Sequence, residues 1–185
     1  MENKIKIYED FLSEEQRLEL LQYSIDNPEL YNLVHDPDGV WTGRILHCFR
    51  NEVAENIQQI MRHYVWKARA EINIAAAPRT VEFDTVNYSK WKEGHVQPPH
   101  ADAVNPDGSD HPYAYRKYGC VYYLNDDYEG GEIYFPNFDV EVKPKSNTMI
   151  FFPGDLDHLH GVREITKGVR HTIASFWRYE QGVIK

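Results

Sequence analysis

Residues 118–136 read YGCVYYLNDDYEGGEIYFP. Two runs rich in aromatic and β-branched residues, Tyr118–Leu124 and Glu132–Phe135, flank a polar turn carrying Gly130-Gly131. Such runs on either side of a glycine pair predict two short strands and the turn between them. The pattern continues downstream with strand candidates at Val140–Val142, Thr148–Phe152, His160–Arg163 and Arg170–Tyr179, separated by Pro136-Asn137 and Pro153-Gly154. Upstream, Val81, Phe83, Thr85 and Asn87 alternate with Glu82, Asp84, Val86 and Tyr88, a period of two. Many short strands with few helices between them predict a sandwich or closed jelly roll.

Before Pro78 the spacing is helical. Ile7 to Leu12 reads as a short strand or lead-in segment. Ser13 then caps a helix, with Gln16 three residues on completing a capping box. Leu18, Leu21 and Ile25 follow at helical spacing, and Asn27-Pro28 stops the run. Val34 to Gly43 contains Asp36-Pro37-Asp38-Gly39, a turn-rich loop. A second helix is expected from about Asn51 to Ile72, with Val53, Ile57, Ile60, Met61 and Tyr64 on one face. The expected class is α+β, mainly β. One domain covers 1–185, with helical support over 1–77 and a β core over 78–180.

The length of 185 residues suits a single domain with a real core. No stretch of about 18 apolar residues could span a membrane. The start, Met1 to Lys6, has no apolar signal region, so a cytoplasmic location is the default expectation. A net charge of −9 repels phosphate backbones and disfavours nucleic acid as a partner. Cys48 and Cys120, far apart in strand-like surroundings, read as buried reduced thiols and do not suit a zinc finger. Oligomeric state is not encoded in any pattern seen.

Of nine histidines, His35, His47, His63, His95, His111 and His171 sit in no ligand pattern. His100 and Asp102 form His-x-Asp, and on an extended segment residues i and i+2 leave the same face. His160, after the apolar run Met149-Ile150-Phe151-Phe152, supplies a third ligand. His158 competes with it, expected two residues away on the same strand face. Two imidazoles and one carboxylate on one face of an ion leave positions open, the arrangement of non-haem Fe(II) oxygenases. A structural zinc site would fill every position, whereas catalytic zinc remains open on ligand type alone. Arg170, ten residues after His160, stays charged at any working pH and can grip a carboxylate through two parallel hydrogen bonds.

From about Thr85 to Trp177 the sequence resembles the 2-oxoglutarate/Fe(II) dioxygenases, specifically their prolyl-4-hydroxylase branch. The matching pieces run in family order: Pro99-His100-Ala101-Asp102, Cys120-Val121-Tyr122-Tyr123-Leu124-Asn125, Glu129-Gly130-Gly131-Glu132, Phe151-Phe152-Pro153, His160-Gly161-Val162 and Gly168-Val169-Arg170. The resemblance implies a double-stranded β-helix (jelly-roll, cupin-like) core with N-terminal supporting helices. It implies Fe(II) on His100, Asp102 and His160. It implies 2-oxoglutarate as cosubstrate on Arg170, assisted by the Tyr123 and Tyr88 hydroxyls. O2 is the oxidant, and ascorbate is an accessory reductant. Family spacing also favours His160 over His158. Asp102 occupies the position that halogenating relatives leave for chloride, which argues for hydroxylation. The implied substrate is a prolyl residue in a protein or peptide, with succinate and CO2 as coproducts. The loops Val34–Gly43 and Ala103–Lys117, carrying Trp41, Tyr113 and Tyr115, would cover it, and Arg116 could meet an acidic group. Alternatives are the same chemistry on a free amino acid, another side chain or a nucleobase, and a non-catalytic cupin-like metal-binding module.

Overall fold

The structure is a computed structural model describing residues 2–33 and 41–181. Most of the turn-rich loop expected at Val34–Gly43 therefore lies outside the described residues. The elements in chain order are β1 (Lys6–Tyr8), α1 (Glu14–Asp26), β2 (Ile45–His47), α2 (Glu55–Ala76), β3 (Val81–Lys92), β4 (Gln97–His100), β5 (Arg116–Tyr123), β6 (Glu129–Gly130), β7 (Ile133–Phe135), β8 (Val140–Val142), β9 (Met149–Pro153), β10 (His160–Val162), β11 (Ile165–Lys167) and β12 (Val169–Tyr179). Six strands form one sheet in the order β1-β9-β5-β12-β3-β2, four form a second as β4-β10-β7-β8, and β11 pairs with β6. The described pairings are antiparallel.

The first helix starts where the capping box places it, but it buries Arg17, Leu20 and Ser24 while Leu18 and Ile25 stay exposed. The second helix is displaced at both ends, running to Ala76 and not Ile72. Ser13 Oγ accepts from Gln16 N at 3.2 Å, and Gln16 Oε1 accepts from Ser13 N at 3.4 Å, so the capping box is made. Asn147 holds the approach to this helix, accepting from Leu12 N at 3.0 Å and donating to Leu12 O at 2.9 Å. The second helix begins at Glu55 and not near Asn51. Arg50 to Val53 instead closes a turn, Val53 N donating to Arg50 O at 3.0 Å, and Ala54 caps the helix without a side-chain bond. No Ser, Thr, Asp or Asn marks that start, so the local signal pointed one turn too early.

Ile57, Met61, Tyr64, Ala68 and Ile72 of α2 are fully buried against one face of the large sheet, with Val81, Tyr88, Cys120, Tyr122, Ile173 and Trp177 opposite. Fully burying a side chain of this size contributes about 1.5–3 kcal/mol, so this layer dominates the stability. A smaller core lies between the sheets, where Tyr123, Ile133, Phe135, Ile150 and Phe152 meet. The sequence-expected strands from 118 to 179 are present to within about two residues at each end. One placement differs. His158 belongs to a 3-10 turn, Leu156–His158, and the strand starts at His160, so the two histidines share no strand face. Asp155 caps that turn, accepting from His158 N at 3.1 Å and pairing with His158 Nδ1 at 2.7 Å.

Candidate active site

His100 ends β4, and register sets it directly opposite His160, the first residue of β10. Their rings lie 4.4 Å apart between centroids. Asp102 follows two residues past the strand end, where Ala103 N donates to Gly154 O at 3.1 Å and holds the bend. Asp102 Oδ1 is 3.7 Å from His100 Nε2 and 3.7 Å from His160 Nε2. Ligand bonds of about 2.1 Å to one ion reach across separations up to ~4.2 Å, so these three atoms suit a common centre. Among the described residues no other group of His, Cys, Asp and Glu converges in this way.

The supporting bonds fix which ring nitrogen faces inward. His100 Nδ1 donates to Pro98 O at 3.1 Å, and His160 Nδ1 donates to His158 O at 3.1 Å. A carbonyl only accepts, so each Nδ1 carries the proton and each Nε2 keeps its lone pair for a cation. Burial lowers the His160 pKa to about 4, with Asp102 opposing, and keeps that ring neutral at ordinary pH. Asp102 Oδ2 is buried with no hydrogen-bond partner. A carboxylate oxygen left so is costly unless a cation completes it. The donor set and this orphaned oxygen fit an iron ion.

Gly119 in β5 makes the corner possible. A Cβ there would lie 2.3 Å from Asp102 Oδ2 and 2.9 Å from Phe152 Cε2. Phe152 in turn packs against His160 with the rings tilted by 51° and their centroids 4.3 Å apart. A glycine inside a strand often marks such a close approach, the signal by which the sequence could have revealed it.

The same corner opens on a cavity of about 510 Å³ between the sheets. His100, Asp102, His160 and Arg170 all line it. Arg170 is 2 % exposed, and among the described residues no carboxylate pairs with it. Its Nη2 donates to Tyr123 Oη at 3.1 Å, while its Nε has no partner. The guanidinium lies 4.9 Å from the Tyr123 ring and 5.3 Å from the Trp91 ring. Tyr123, as the sequence led one to expect, is at the arginine. Tyr88 is not. Asn87, Ser89 and Trp91 line the cavity, so Tyr88, of opposite parity on β3, points into the helix-side core near Tyr23. A side-chain period of two makes a one-residue difference a change of face.

At the mouth, Trp41, His111, Tyr113, Tyr115, Arg116 and Phe176 form the rim. Arg116 is already committed. Its Nε and Nη2 each lie 2.9 Å from Asp84 Oδ2, and its guanidinium lies 3.9 Å from the Tyr113 ring and 4.0 Å from the Phe176 ring. That ion pair replaces the expectation of a free cation for an acidic substrate group.

The profile of the 2OG-Fe(II) oxygenase superfamily matches residues 85–178, half of the chain, and spans every cavity residue just described on β4, β5, β10 and β12. The chain belongs to the 2OG-Fe(II) oxygenase superfamily. Its core is therefore an oxygenase domain of the kind that uses Fe(II) and 2-oxoglutarate. Human prolyl 3-hydroxylase 2 is 40% identical over 67 residues, which are 34% of this chain and 10% of that protein. The chain thus spans about a tenth of the length of the curated relatives it matches. The collagen prolyl hydroxylase of Paramecium bursaria Chlorella virus-1, solved with 2-oxoglutarate, superposes with a TM-score of 0.71 at 19% identity, covering 95% of this chain and 96% of that one. The Trichoplax adhaerens prolyl hydroxylase, solved with a hypoxia-inducible-factor peptide, gives 0.75 at 18% identity, covering 97% and 85%. These likenesses show the double-stranded β-helix fold of oxygenases in the superfamily. Within the described residues no helix is long and apolar enough to cross a membrane.

Proposed function

We propose that this protein hydroxylates a prolyl residue of a peptide or protein, with Fe(II) held by His100, Asp102 and His160 and 2-oxoglutarate anchored by Arg170. The observation that carries this reading is Arg170 itself, a buried cation at the cavity wall with no carboxylate partner among the described residues. An unpaired buried charge costs several kcal/mol, and a ligand carboxylate in the cavity would offset it. The bound metal and 2-oxo acid together supply the oxidation of an unactivated C–H bond by O2, with succinate and CO2 released.

The chain's own residues bind, orient and exclude. His100 and His160 present fixed lone pairs, and Asp102 adds one negative charge. Tyr123 orients the Arg170 fork toward the remote carboxylate of the cosubstrate. Phe152, Ile133 and Val162 keep the floor apolar beside the metal corner, so water is displaced when the pocket fills. The aromatic side chains of Tyr113, Tyr115 and Phe176 suit the compact, apolar pyrrolidine ring of proline, whose C–H groups pack against aromatic faces, and the neutralised Arg116 puts no premium on acidic neighbours.

The test is a panel of proline-containing peptides incubated with the protein, Fe(II), 2-oxoglutarate and ascorbate. A mass gain of one oxygen on proline, matched by succinate and lost in His160→Ala and Asp102→Ala, is the expected result. Oxygen transfer to a free amino acid or nucleobase but to no peptide would sink the prolyl assignment. Succinate formation that survived both substitutions would sink the metal site.

A further inference from the structure

Beside the Arg170 guanidinium lies a second phenol that sequence patterns did not single out. Tyr128 is 3 % exposed, and its hydroxyl is buried with no hydrogen-bond partner. Burial raises its pKa to about 12, with the Arg170 charge opposing, so the hydroxyl keeps its proton and remains a donor. Arg170 Nε is likewise buried and unpartnered. The phenol oxygen faces the guanidinium, and the Tyr128 O–H and the Arg170 Nε–H are left without an acceptor, a double cost unless one ligand acceptor serves both. No described carboxylate does so.

The backbone at Gly131 passes close to both side chains, and only a residue without a Cβ lets them sit there. Gly131 has φ +71, and a Cβ on it would come within 2.4 Å of Ile165 Cδ1, 3.1 Å of Tyr128 Cε2 and 3.3 Å of Arg170 Cδ. Lys143 Nζ donates to Tyr128 O at 2.8 Å and fixes the residue from behind. Trp91, Val162 and Ile165 close the surrounding wall. The Tyr128 hydroxyl has no packing reason to be polar in this apolar cluster, where a phenylalanine would fill the same space.

We infer that Tyr128 is a cosubstrate-binding residue, its hydroxyl and the Arg170 Nε donating to the remote carboxylate of a 2-oxo diacid while Tyr123 orients the guanidinium. The inference rests on the proposed cosubstrate role of Arg170. It adds selectivity: a ligand must reach from the metal corner to this donor set, so a 2-oxo acid lacking the second carboxylate leaves the donors empty.

Anaerobic titration of the Mn(II)-loaded protein, read by quenching of tryptophan fluorescence, tests it with Tyr128→Phe and two ligands, 2-oxoglutarate and 2-oxobutyrate. Tyr128→Phe is expected to weaken 2-oxoglutarate about 10-fold, the loss of one hydrogen bond to a charged group, and to leave 2-oxobutyrate unchanged. In turnover, KM for 2-oxoglutarate should rise while kcat holds. Equal weakening of both ligands, or no weakening of either, would overturn the role of Tyr128 while leaving Arg170 as the anchor. Failure of the unsubstituted protein to bind 2-oxoglutarate would overturn the cosubstrate reading and this inference with it.

Discussion

Alternate residues of β12 look into two different interiors. His171, Ile173, Ser175 and Trp177 face the helices, whereas Arg170, Thr172, Ala174 and Phe176 line the cavity between the sheets. On the helix side polar atoms find partners. His171 Nδ1 meets Ser24 Oγ at 2.8 Å, and Ser175 Oγ meets Tyr64 Oη at 3.2 Å and accepts from Trp177 Nε1 at 3.1 Å. Of the cavity-lining residues, Asp102, Arg170 and Thr85 each carry a buried, unpaired atom, Oδ2, Nε and Oγ1, and Tyr128 Oη, beside Arg170, is another. Folded chains rarely tolerate such groups, so their concentration on one side of a single strand marks where ligands complete the structure. One side is finished by folding; the other is finished by binding.

The comparison breaks first at Arg170. Arg170→Met removes the buried cation and should weaken 2-oxoglutarate by about 3 kcal/mol, or ~100-fold, with the protein no less stable to urea. A large loss of stability with unchanged ligand affinity would place Arg170 among the packing residues instead. Gly119→Ala comes next, since its new methyl group must displace Asp102 or Phe152. Metal affinity should fall about 10- to 100-fold, in the range seen when a ligand's supports are disturbed, while far-UV circular dichroism stays the same.

How far each side was legible in the sequence follows the same division. Most strands between Tyr118 and Tyr179 were readable because local punctuation and aromatic runs mark them, but β6 was read as turn and β11 was not expected, both being too short to carry a pattern. β4 was not, since Gln97-Pro98-Pro99-His100 has two residues without an N–H and resembles no strand. It is tolerated as the edge of its sheet, where those donors are not needed. β2 is three residues long and offers too little pattern. The triad and Arg170 were legible because motif spacing carries them, and the cavity brings all four together. The tyrosines were harder. Assigning Tyr88 to the cosubstrate required the parity of β3, which depends on its register with β12, where Arg170 pairs with Trp91. Register is a long-range property that a period of two cannot supply. Tyr128, on the turn between β5 and β6, belongs to no periodic run at all.

The helix side makes its own prediction, through pH. Burial first, then the Lys90 charge, lowers the His171 pKa to about 4, against about 6.5 in an unfolded chain. As pH falls through 6.5 the unfolded state takes up a proton that the folded state refuses until about pH 4. Stability from this residue is therefore complete above pH 6.5 and declines below it, by about 2 kcal/mol between pH 8 and pH 5. Urea unfolding of the protein and of His171→Asn at both pH values isolates the contribution, because other titrating groups cancel in the difference. Parallel pH dependence in the two proteins would show that His171 protonates without cost and that the helix side is looser than its hydrogen bonds suggest.

The smallest effect gives the sharpest contrast, and it belongs to Tyr88. Its hydroxyl is the helix-side exception, buried beside Tyr23 and Cys48 without a hydrogen bond. Three buried tyrosine hydroxyls can thus be compared by the same deletion: Tyr88 away from the cavity, Tyr123 and Tyr128 at the arginine. Removing an unsatisfied buried hydroxyl releases its desolvation cost, so Tyr88→Phe should leave stability unchanged or raise it by up to about 1 kcal/mol, with 2-oxoglutarate affinity the same. Tyr123→Phe should weaken the ligand, because the arginine loses the oxygen that orients it. If Tyr88→Phe instead weakened 2-oxoglutarate as much as Tyr123→Phe, the two faces of the sheet would be energetically joined. Unpaired polar atoms could then no longer be read as a map of where ligands bind.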